Sequence, residues 1–256
     1  MLSRVEEFEQ IFILDTLPKE KIRASEKALK ELEGMNKRSI NQNPIPWKQE
    51  NKNFIKIATL NCMNLSTNYD DIVCDRTLME STVIALSETW LDKSTELSIS
   101  GYSAHYNSIG AGKGLAVFTK DSSFKPTIDI NKEQMQIIVL ESEELKFITV
   151  YTSEKGNTSE LLQHIQDNIT DDTATVITGD FNICTQVNRN NKITKFLETN
   201  RFILLMTEAT HIKGRHIDHL YFKPGKKISK NPSVYRYSPY YSDHDAICAT
   251  FTREAE

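Results

Sequence analysis

The stretch TVITGDFN, residues 175–182, places four β-branched residues directly before a glycine and an aspartate. This pattern is typical of a buried strand that presents a carboxylate where it ends. It therefore predicts that Asp180 lies at the edge of a sheet, and the surrounding sequence has to explain what the carboxylate does there.

Strand-like runs recur along the chain and outnumber the helical patterns. The predicted strands are Ile55–Leu60, Thr82–Leu86, Leu115–Thr119, Gln136–Leu140, Phe147–Tyr151, Val176–Thr178, Ile217–Phe222 and Ala246–Phe251. The predicted helices are Tyr69–Met79, Ser159–Ile169 and Asn191–Thr199. Many strands with few helices favour an α+β fold, in which two packed sheets are flanked by helices, over a doubly wound sheet.

The composition is that of an ordinary globular protein. The chain has 256 residues, of which 39% are hydrophobic and 26% charged, and its formal net charge is −4. This length allows one domain of about 200 residues and an appendage. No apolar run approaches the roughly 20 residues that cross a bilayer, so no membrane segment is expected. The net charge argues against a generally basic coat for nucleic acid but leaves a local patch open.

Two further features predict an intracellular protein. The stretch MLSRVEEFEQ, residues 1–10, has acids where a secretory signal needs a basic and then an apolar segment. The cysteines are far apart and form no CxxC pair; they are Cys62, Cys74, Cys184 and Cys248. That spacing fits reduced thiols better than disulfides or a zinc site.

The chain divides into three parts by composition. Residues 1–34 are an appendage, in which Ser25–Gly34 has a helical pattern that begins at a capping serine and ends at a glycine. Residues 35–53 contain prolines and many asparagines and are predicted to be a linker. Residues 54–256 are predicted to be the main domain.

Polar residues stand at the ends of several predicted strands, where core packing does not require them. The set comprises Asn61, Glu88, Tyr151, Asp180, Asn182, Asp218, Asp243 and His244. Any one of them could be a helix cap or a turn residue. Their recurrence at strand ends instead indicates a shared site.

Hydrolysis of a phosphate ester is chemistry that suits these residues. Glu88 and Asp243 offer the hard oxygen ligands that Mg²⁺ takes, and Mg²⁺ usually needs only one or two carboxylates from the protein. Asp180 could orient or deprotonate the attacking water. Asn182 could donate to a phosphate oxygen without adding negative charge.

The remaining residue of this set is the histidine. If His244 pairs with a buried aspartate such as Asp218, it is held in one tautomer and can stay protonated near neutral pH. A protonated imidazole can stabilise a pentavalent phosphorane. The roles would then be distributed over distant segments of the chain.

Seven short motifs follow one another in a definite order. They are LNC (60–62), SETWL (87–91), GLAVF (114–118), TVY (149–151), GDFN (179–182), IDH (217–219) and SDHDAI (242–247). The series resembles the endonuclease/exonuclease/phosphatase family. The resemblance implies a four-layer αββα sandwich with a Mg²⁺-dependent site at one rim, in which Mn²⁺ can substitute.

The resemblance also implies a role for each matched residue. The metal-binding group would comprise Glu88, Asp243 and Asn61, and the catalytic group would comprise Asp180, His244, Asn182, Asp218 and Tyr151. Tyr151 would contact the phosphate. Asp218 would orient His244.

Two positions depart from the family pattern. Met63 stands where abasic-site repair nucleases of this family carry an acid, which argues against a second carboxylate near the metal. The arginine that usually precedes the Ile-Asp pair is His216 here, unless Arg215 replaces it.

The branch of the family is indicated by SETWL and by EATHIKGRHIDHLYF, residues 208–222, which resemble the endonuclease domains of transposable elements. In addition, MLSRVEEFEQIFILDTLP, residues 1–18, resembles the last motif of superfamily 1 DNA helicases, with Arg4 as the arginine that contacts ATP. Helitron-like elements join such a helicase to an endonuclease of this family. The chain contains no GxxxxGK[ST] loop, so it is not expected to bind ATP or unwind DNA by itself. The appendage is interpreted as a helicase remnant, and a nuclear location is expected.

A local excess of basic residues lies between two of the motifs. The candidates for contacts to a DNA backbone are Arg215, Lys223, Lys226, Lys227 and Lys230. Because Lys223–Lys230 falls between IDH and SDHDAI, it could grip phosphates near the site. The alternative is a solvated loop that only keeps the protein soluble.

Three histidines close in sequence raise the question of zinc. They are His211, His216 and His219. Period-two alternation would place His216 and His219 on opposite faces of a strand, which argues against a zinc cluster.

The leading functional interpretation is a Mg²⁺-dependent DNA endonuclease that nicks one strand during transposition and leaves a 3′ hydroxyl. The first alternative is a phosphomonoesterase that acts on a lipid or nucleotide phosphate, since one fold hosts many leaving groups. The second is a catalytically decayed element whose fold survives as a binding module.

Overall fold

The computed structural model describes residues 53–254, except residues 96, 111, 171, 189 and 190. The predicted appendage and all of the predicted linker except Asn53 lie outside the described residues. The strands are β1 (Phe54–Asn61), β2 (Val83–Ser87), β3 (Ser103–Asn107), β4 (Leu115–Thr119), β5 (Lys125–Lys132), β6 (Met135–Glu141), β7 (Leu145–Thr152), β8 (Ala174–Asp180), β9 (Ile203–Leu204), β10 (Asp218–Lys223), β11 (Ser233–Tyr237) and β12 (Ala246–Thr252). The helices are α1 (Leu65–Cys74), α2 (Arg76–Met79), α3 (Thr158–Gln166) and α4 (Lys192–Thr199).

The strands form two six-stranded mixed sheets with matching internal organisation. Sheet A has the order β11-β12-β1-β2-β4-β3, and sheet B has the order β5-β6-β7-β8-β10-β9. Each sheet contains one parallel pair near its centre, β1 with β2 and β7 with β8, and its other pairs are antiparallel.

The alternation of side chains along each strand builds three apolar layers. In β1, Ile57 joins the cluster between the sheets, whereas Ala58 joins the cluster under α1 and α2. In β8, Val176 faces the space between the sheets, and Ile177 joins the cluster that includes Leu161 of α3. Because successive residues of a strand point to opposite faces, both sheets are buried on both sides. The result is an α+β sandwich of two sheets covered by helices, as predicted.

Some predicted elements differ from the structure at their boundaries. The helix expected over Tyr69–Met79 begins earlier, because the Asn64 side chain accepts a hydrogen bond from the Thr67 backbone and caps α1. The same helix is interrupted at Asp75, whose carboxylate caps α2. Four strands were not predicted from the sequence, namely β3, β5, β9 and β11. They carry exposed polar residues or are very short, so the hydrophobic pattern is weak.

Both parallel pairs end at the same rim of the sandwich. Asn61 is the last residue of β1, Asp180 is the last residue of β8, and each has the parity that faces the opposite sheet. The Asn61 amide Nδ2 donates to Asp180 Oδ2 over 3.0 Å. This hydrogen bond crosses from sheet A to sheet B and locates the rim at which the polar strand ends meet.

In the part of the chain that the structure describes, no helix is both long enough and apolar enough to cross a membrane.

Candidate active site

Asp180 is a buried acid held in a fixed orientation. Its Oδ2 accepts from Asn61 Nδ2, and its Oδ1 accepts from the Asn182 backbone N–H over 2.8 Å. Only 1% of its surface is exposed. Burial, followed by the negative charge of Asp218, raises the pKa of Asp180 to about 8, although His244 opposes the rise. A pKa this close to neutral pH makes the ionised form of Asp180 a strong base.

His244 lies two residues before β12 and forms a buried pair with Asp218, the first residue of β10. Its Nδ1 is 2.8 Å from Asp218 Oδ2. Burial opposes the charged form of His244, but the hydrogen bond and charge of Asp218 outweigh it and raise the pKa of His244 to about 9. The imidazole is therefore protonated at neutral pH.

Thr210 completes this pair and was not singled out as a site residue from the sequence. Its Oγ1 donates to Asp218 Oδ2 over 2.7 Å and accepts from the Asp218 backbone N–H over 3.3 Å. The only signal in the sequence was its position in the stretch that leads into Ile217-Asp218. Thr210 fixes the carboxylate that orients His244.

Asp180, Asp218 and His244 converge on one small volume. One potential ligand atom from each lies within 4.8 Å of the others. The loop that carries His244 is anchored to sheet A, because Ser242 Oγ donates to the Asn61 carbonyl over 2.7 Å and accepts from the His244 backbone N–H over 3.0 Å. Segments that are distant in the chain are thus joined by hydrogen bonds at one rim.

Asn61 is oriented as a partner of Asp180. Its Oδ1 accepts from the Met63 backbone N–H over 3.2 Å, which turns its Nδ2 toward Asp180. The Asn61 amide is therefore a direct hydrogen-bond donor to Asp180. The role of Asn61 as a metal ligand stays a prediction.

Glu88 directly follows β2. Its negative charge contributes to the raised pKa values of Tyr151 and Asp180, so its carboxylate lies within electrostatic range of both. Glu88 Oε2 also accepts from the indole Nε1 of Trp90 over 3.3 Å. The Tyr151 hydroxyl donates to the Gly112 carbonyl over 3.0 Å.

Asn182 turns the chain directly after β8. Its φ is +51°, and its Nδ2 donates to the Thr152 carbonyl over 3.0 Å. A primary amide carries a second N–H, which keeps the predicted donation to a phosphate compatible with this geometry.

Unusual backbone conformations gather around this rim. In the described part of the chain, six non-glycine residues have positive φ. Five of them directly follow strands that end at this rim, namely Met63, Asn64, Glu88, Trp90 and Asn182, and the sixth is Arg201, after α4. Positive φ is uncommon outside glycine and tends to occur where a side chain must be held for function.

Asp243 lies between two imidazoles. Its Oδ2 is 3.5 Å from His211 Nε2, and its Oδ1 is 3.7 Å from His244 Nε2. Among the residues that the structure describes, Oδ1 has no hydrogen-bond partner although it is buried. Oδ1 thus faces His244 without a hydrogen bond, and Asp243 with Glu88 supplies the hard oxygen donors that Mg²⁺ prefers.

The prediction that His216 and His219 lie on opposite faces of a strand was wrong. Their ring centroids are 4.9 Å apart, and both side chains are buried. Period-two alternation does not apply to the pair, because His216 precedes the first residue of β10. His219 stacks on Phe181, and burial lowers its pKa to about 3, so it is a neutral core residue. His211 lies instead beside Asp243, so the three histidines do not form one cluster.

The basic segment does not border the site, contrary to the expectation from its place between two motifs. In the pairing of β10 with β8, Asp218 lies opposite Asp180 but Lys223 lies opposite Thr175. Five residues of strand place Lys223 about 17 Å from the site.

Two of the lysines that follow Lys223 are paired at that far end. Lys226 pairs with Asp172 over 2.6 Å, and Lys227 pairs with Glu143 over 3.6 Å. Arg215 alone of the five candidates stays close to the rim, since its carbonyl accepts from the His211 backbone N–H. Contact between the lysines and DNA stays a prediction. Such a contact would lie away from the phosphate that Asp180 would face.

The fold and its rim of acids and histidine place the chain among the metal-dependent phosphoric ester hydrolases. The profile of the Endonuclease/Exonuclease/phosphatase family matches residues 58–244, and the chain belongs to that family. No curated protein sequence matches significantly.

Several solved structures share the fold at low sequence identity. An AP endonuclease from Archaeoglobus fulgidus superposes with a TM-score of 0.62 at 13% identity, covering 76% of this chain and 98% of that one. The endonuclease domain of TRAS1, a telomere-specific non-LTR retrotransposon, has a TM-score of 0.57 at 11% identity, covering 78% and 98%. The 3′ phosphatase NExo from Neisseria, bound to a product DNA hairpin, has a TM-score of 0.56 at 16% identity, covering 76% and 98%. At these identities the likeness concerns the fold alone.

Proposed function

We propose that this protein is a Mg²⁺-dependent DNA endonuclease of a transposable element, which acts in the nucleus, nicks one strand and leaves a 3′ hydroxyl. The observation that carries the proposal is the convergence of Asp180, Asp218 and His244 within 4.8 Å at one rim of the sandwich. Hydrolysis of a phosphodiester requires a group that accepts the proton of the attacking water and a group that stabilises the charge on the phosphorane. Asp180 and the charged imidazole of His244 supply these two functions.

The residues of the rim divide the work between them. Asp180, with its raised pKa, holds the attacking water through Oδ1 or Oδ2 and accepts its proton. His244 keeps its proton because of Asp218, so it stabilises the negative charge that develops on the phosphorane oxygens. The P–O3′ bond then breaks, and the departing 3′ oxygen takes a proton from solvent. Asn182 and Tyr151 position the phosphate. Bound Mg²⁺, held by the acids of the rim, would neutralise phosphate charge and polarise the phosphoryl oxygen.

The acids Glu88 and Asp243 support this assignment of the metal. The side chains of both acids are partly exposed. Asp243 Oδ1 lies 3.7 Å from His244 Nε2, and the negative charge of Glu88 raises the pKa of Asp180, so each acid acts on one of the two catalytic groups. Asn61 holds Asp180 and is the third member of the proposed metal-binding group.

The choice of DNA and of a transposable element rests on resemblance. The SETWL and IDH motifs resemble transposon endonucleases, and a retrotransposon endonuclease domain is among the proteins that share the fold. The interpretation of residues 1–18 as a helicase remnant is part of the same proposal. It falls on residues outside those that the structure describes.

A phosphomonoesterase is the second candidate, and one observation favours it. Because Lys223 lies about 17 Å from Asp180 and Lys226 and Lys227 are paired at the same far end, these lysines do not provide the basic surface beside the site that a long duplex would use. A small phosphate ester would not need such a surface.

Conversion of supercoiled plasmid to nicked circles by the full chain with Mg²⁺ tests the proposal. Asp180→Asn and His244→Gln should abolish nicking, whereas Lys227→Ala should retain it. Turnover of a soluble phosphate monoester without nicking would favour the second candidate. Inactivity toward both substrates would favour a binding module.

A further inference from the structure

We infer that His211 is a positioning residue that holds the carboxylate of Asp243 in the orientation needed for metal binding. This inference rests on the proposed function, in which Asp243 is a metal ligand. His211 lies within the stretch 208–222 that resembles transposable-element endonucleases, but no site role was assigned to it from the sequence. The zinc cluster of His211, His216 and His219 that the sequence raised does not form in the structure.

The hydrogen bonds of His211 determine which of its nitrogens carries the proton. Its Nδ1 accepts from the Lys213 backbone N–H over 3.0 Å. In a neutral imidazole one nitrogen accepts and the other donates, so Nε2 carries the proton. That Nε2–H group is the one that lies 3.5 Å from Asp243 Oδ2.

The same tautomer excludes His211 as a metal ligand. His211, Asp243 and His244 could be taken for a metal triad, because one potential ligand atom from each lies within 4.8 Å of the others. Coordination requires a lone pair, and the lone pair of His211 is on Nδ1, where a backbone N–H already uses it. The nitrogen that faces Asp243 is a donor.

The backbone around His211 locks the imidazole against Asp243. The Ile212 backbone N–H donates to the Asp243 carbonyl over 2.9 Å, and the His211 N–H donates to the Arg215 carbonyl over 3.0 Å. The His211 ring also packs edge-to-face on His244, with centroids 4.7 Å apart. Only 8% of the His211 surface is exposed. The donor is therefore already in place before a metal arrives.

An N–H group that faces one carboxylate oxygen at 3.5 Å has a specific consequence for metal binding. With Oδ2 facing His211, Asp243 keeps Oδ1, the buried oxygen without a hydrogen-bond partner, on the side of His244 Nε2, 3.7 Å away. Removal of a donor that orients a metal ligand typically weakens metal affinity by about 10- to 100-fold. His211 should thus affect the affinity for the cation more than the rate once the cation is bound.

Two variants separate this role from a merely structural one. His211→Leu keeps an apolar side chain of moderate size but has no donor, whereas His211→Gln keeps an N–H group of similar reach. The dissociation constant for Mn²⁺, measured by electron paramagnetic resonance on the full chain without substrate, should rise about tenfold or more in His211→Leu. His211→Gln should restore most of the affinity.

Activity supplies the second measurement. The Mg²⁺ concentration for half-maximal nicking should rise in His211→Leu by the same factor, while the rate at saturating Mg²⁺ changes by less than about threefold. Equal Mn²⁺ affinity in His211→Leu and the unmodified protein would overturn the inference. So would equal loss in the Leu and Gln variants, because a donor would then be irrelevant.

The tautomer provides an outcome that does not depend on activity. ¹⁵N-labelled His211 should give the nuclear magnetic resonance signature of an Nε2–H imidazole, and an Nδ1–H signature would contradict the inference. If the protein binds Mn²⁺ with the expected ranking of variants but hydrolyses neither DNA nor a phosphate monoester, the proposed function fails and the role of His211 stands.

Discussion

Asn61 and Asp180 are joined by a 3.0 Å hydrogen bond although one ends a strand of sheet A and the other ends a strand of sheet B. The bond lies at the rim where β1 and β8 terminate, and each residue has the inward parity of the cluster between the sheets. It couples the packing of the two sheets to the orientation of the proposed catalytic acid.

Asn61→Ala should therefore reduce both stability and activity. The variant leaves Asp180 Oδ2 buried without a donor, which costs about 1–3 kcal/mol in the free energy of unfolding. Loss of the donor also disfavours the ionised form, so the acidic limb of the pH–rate profile should move to higher pH. Denaturant unfolding and the pH profile check the two effects. Asn200→Ala, at the end of α4, is a matched control that should leave the profile unchanged.

Asp218→Asn should remove the anion that keeps His244 protonated. The pKa of His244 is raised to about 9 by Asp218 against the effect of burial, so without that charge it should fall toward or below 6.5. Activity at pH 7.5 should drop about 10²- to 10⁴-fold, and the alkaline limb of the pH–rate profile should move to lower pH. An unchanged alkaline limb would mean that His244 is not the group that must be protonated.

Gly179→Ala should destabilise the centre of sheet B. Gly179 has φ +134°, and a Cβ there would lie 1.9 Å from the Val150 carbonyl oxygen of β7. The clash involves backbone and cannot be relieved by rotating a side chain, so a loss of more than about 3 kcal/mol is expected. Gly101→Ala is the matched control, because Gly101 also has positive φ, +81°, but has nothing within 4 Å of the added atom. Thermal unfolding should show a larger loss of stability for Gly179→Ala than for Gly101→Ala.

Removal of single positive charges should distinguish the rim from the far end of the sandwich. Arg215→Ala should weaken DNA binding and lower the slope of log K against log salt by about one, if Arg215 contacts a phosphate near the site. Lys227→Ala should have a smaller effect, since Lys227 lies beside Glu143 at the opposite end of sheet B, although each cation has an acidic neighbour, Glu154 for Arg215 and Glu143 for Lys227. Titration of DNA at several salt concentrations measures both slopes. Equal slopes for the two variants would show that the duplex extends over the far end.

Much of the fold follows from local patterns in the sequence. Each of the eight predicted strands corresponds to a strand of the structure, because β-branched and apolar runs that are buried on both faces are recognisable without knowledge of their partners. The strands that escaped prediction, such as β5, are edge strands with exposed polar residues. Their conformation depends on pairing with a neighbour, which a local pattern does not contain.

The position of Asp180 at the end of a buried strand could therefore be predicted from residues 175–182. The polar groups at other strand ends could be predicted from their own segments in the same way. Which of these groups meet was decided by tertiary structure, because distances across the sandwich depend on strand direction and register. Strand direction brings Asn61 to Asp180 and carries Lys223 away from it along β10. The partnership of His211 with Asp243 likewise exists only because the chain before β10 is hydrogen-bonded to the chain before β12.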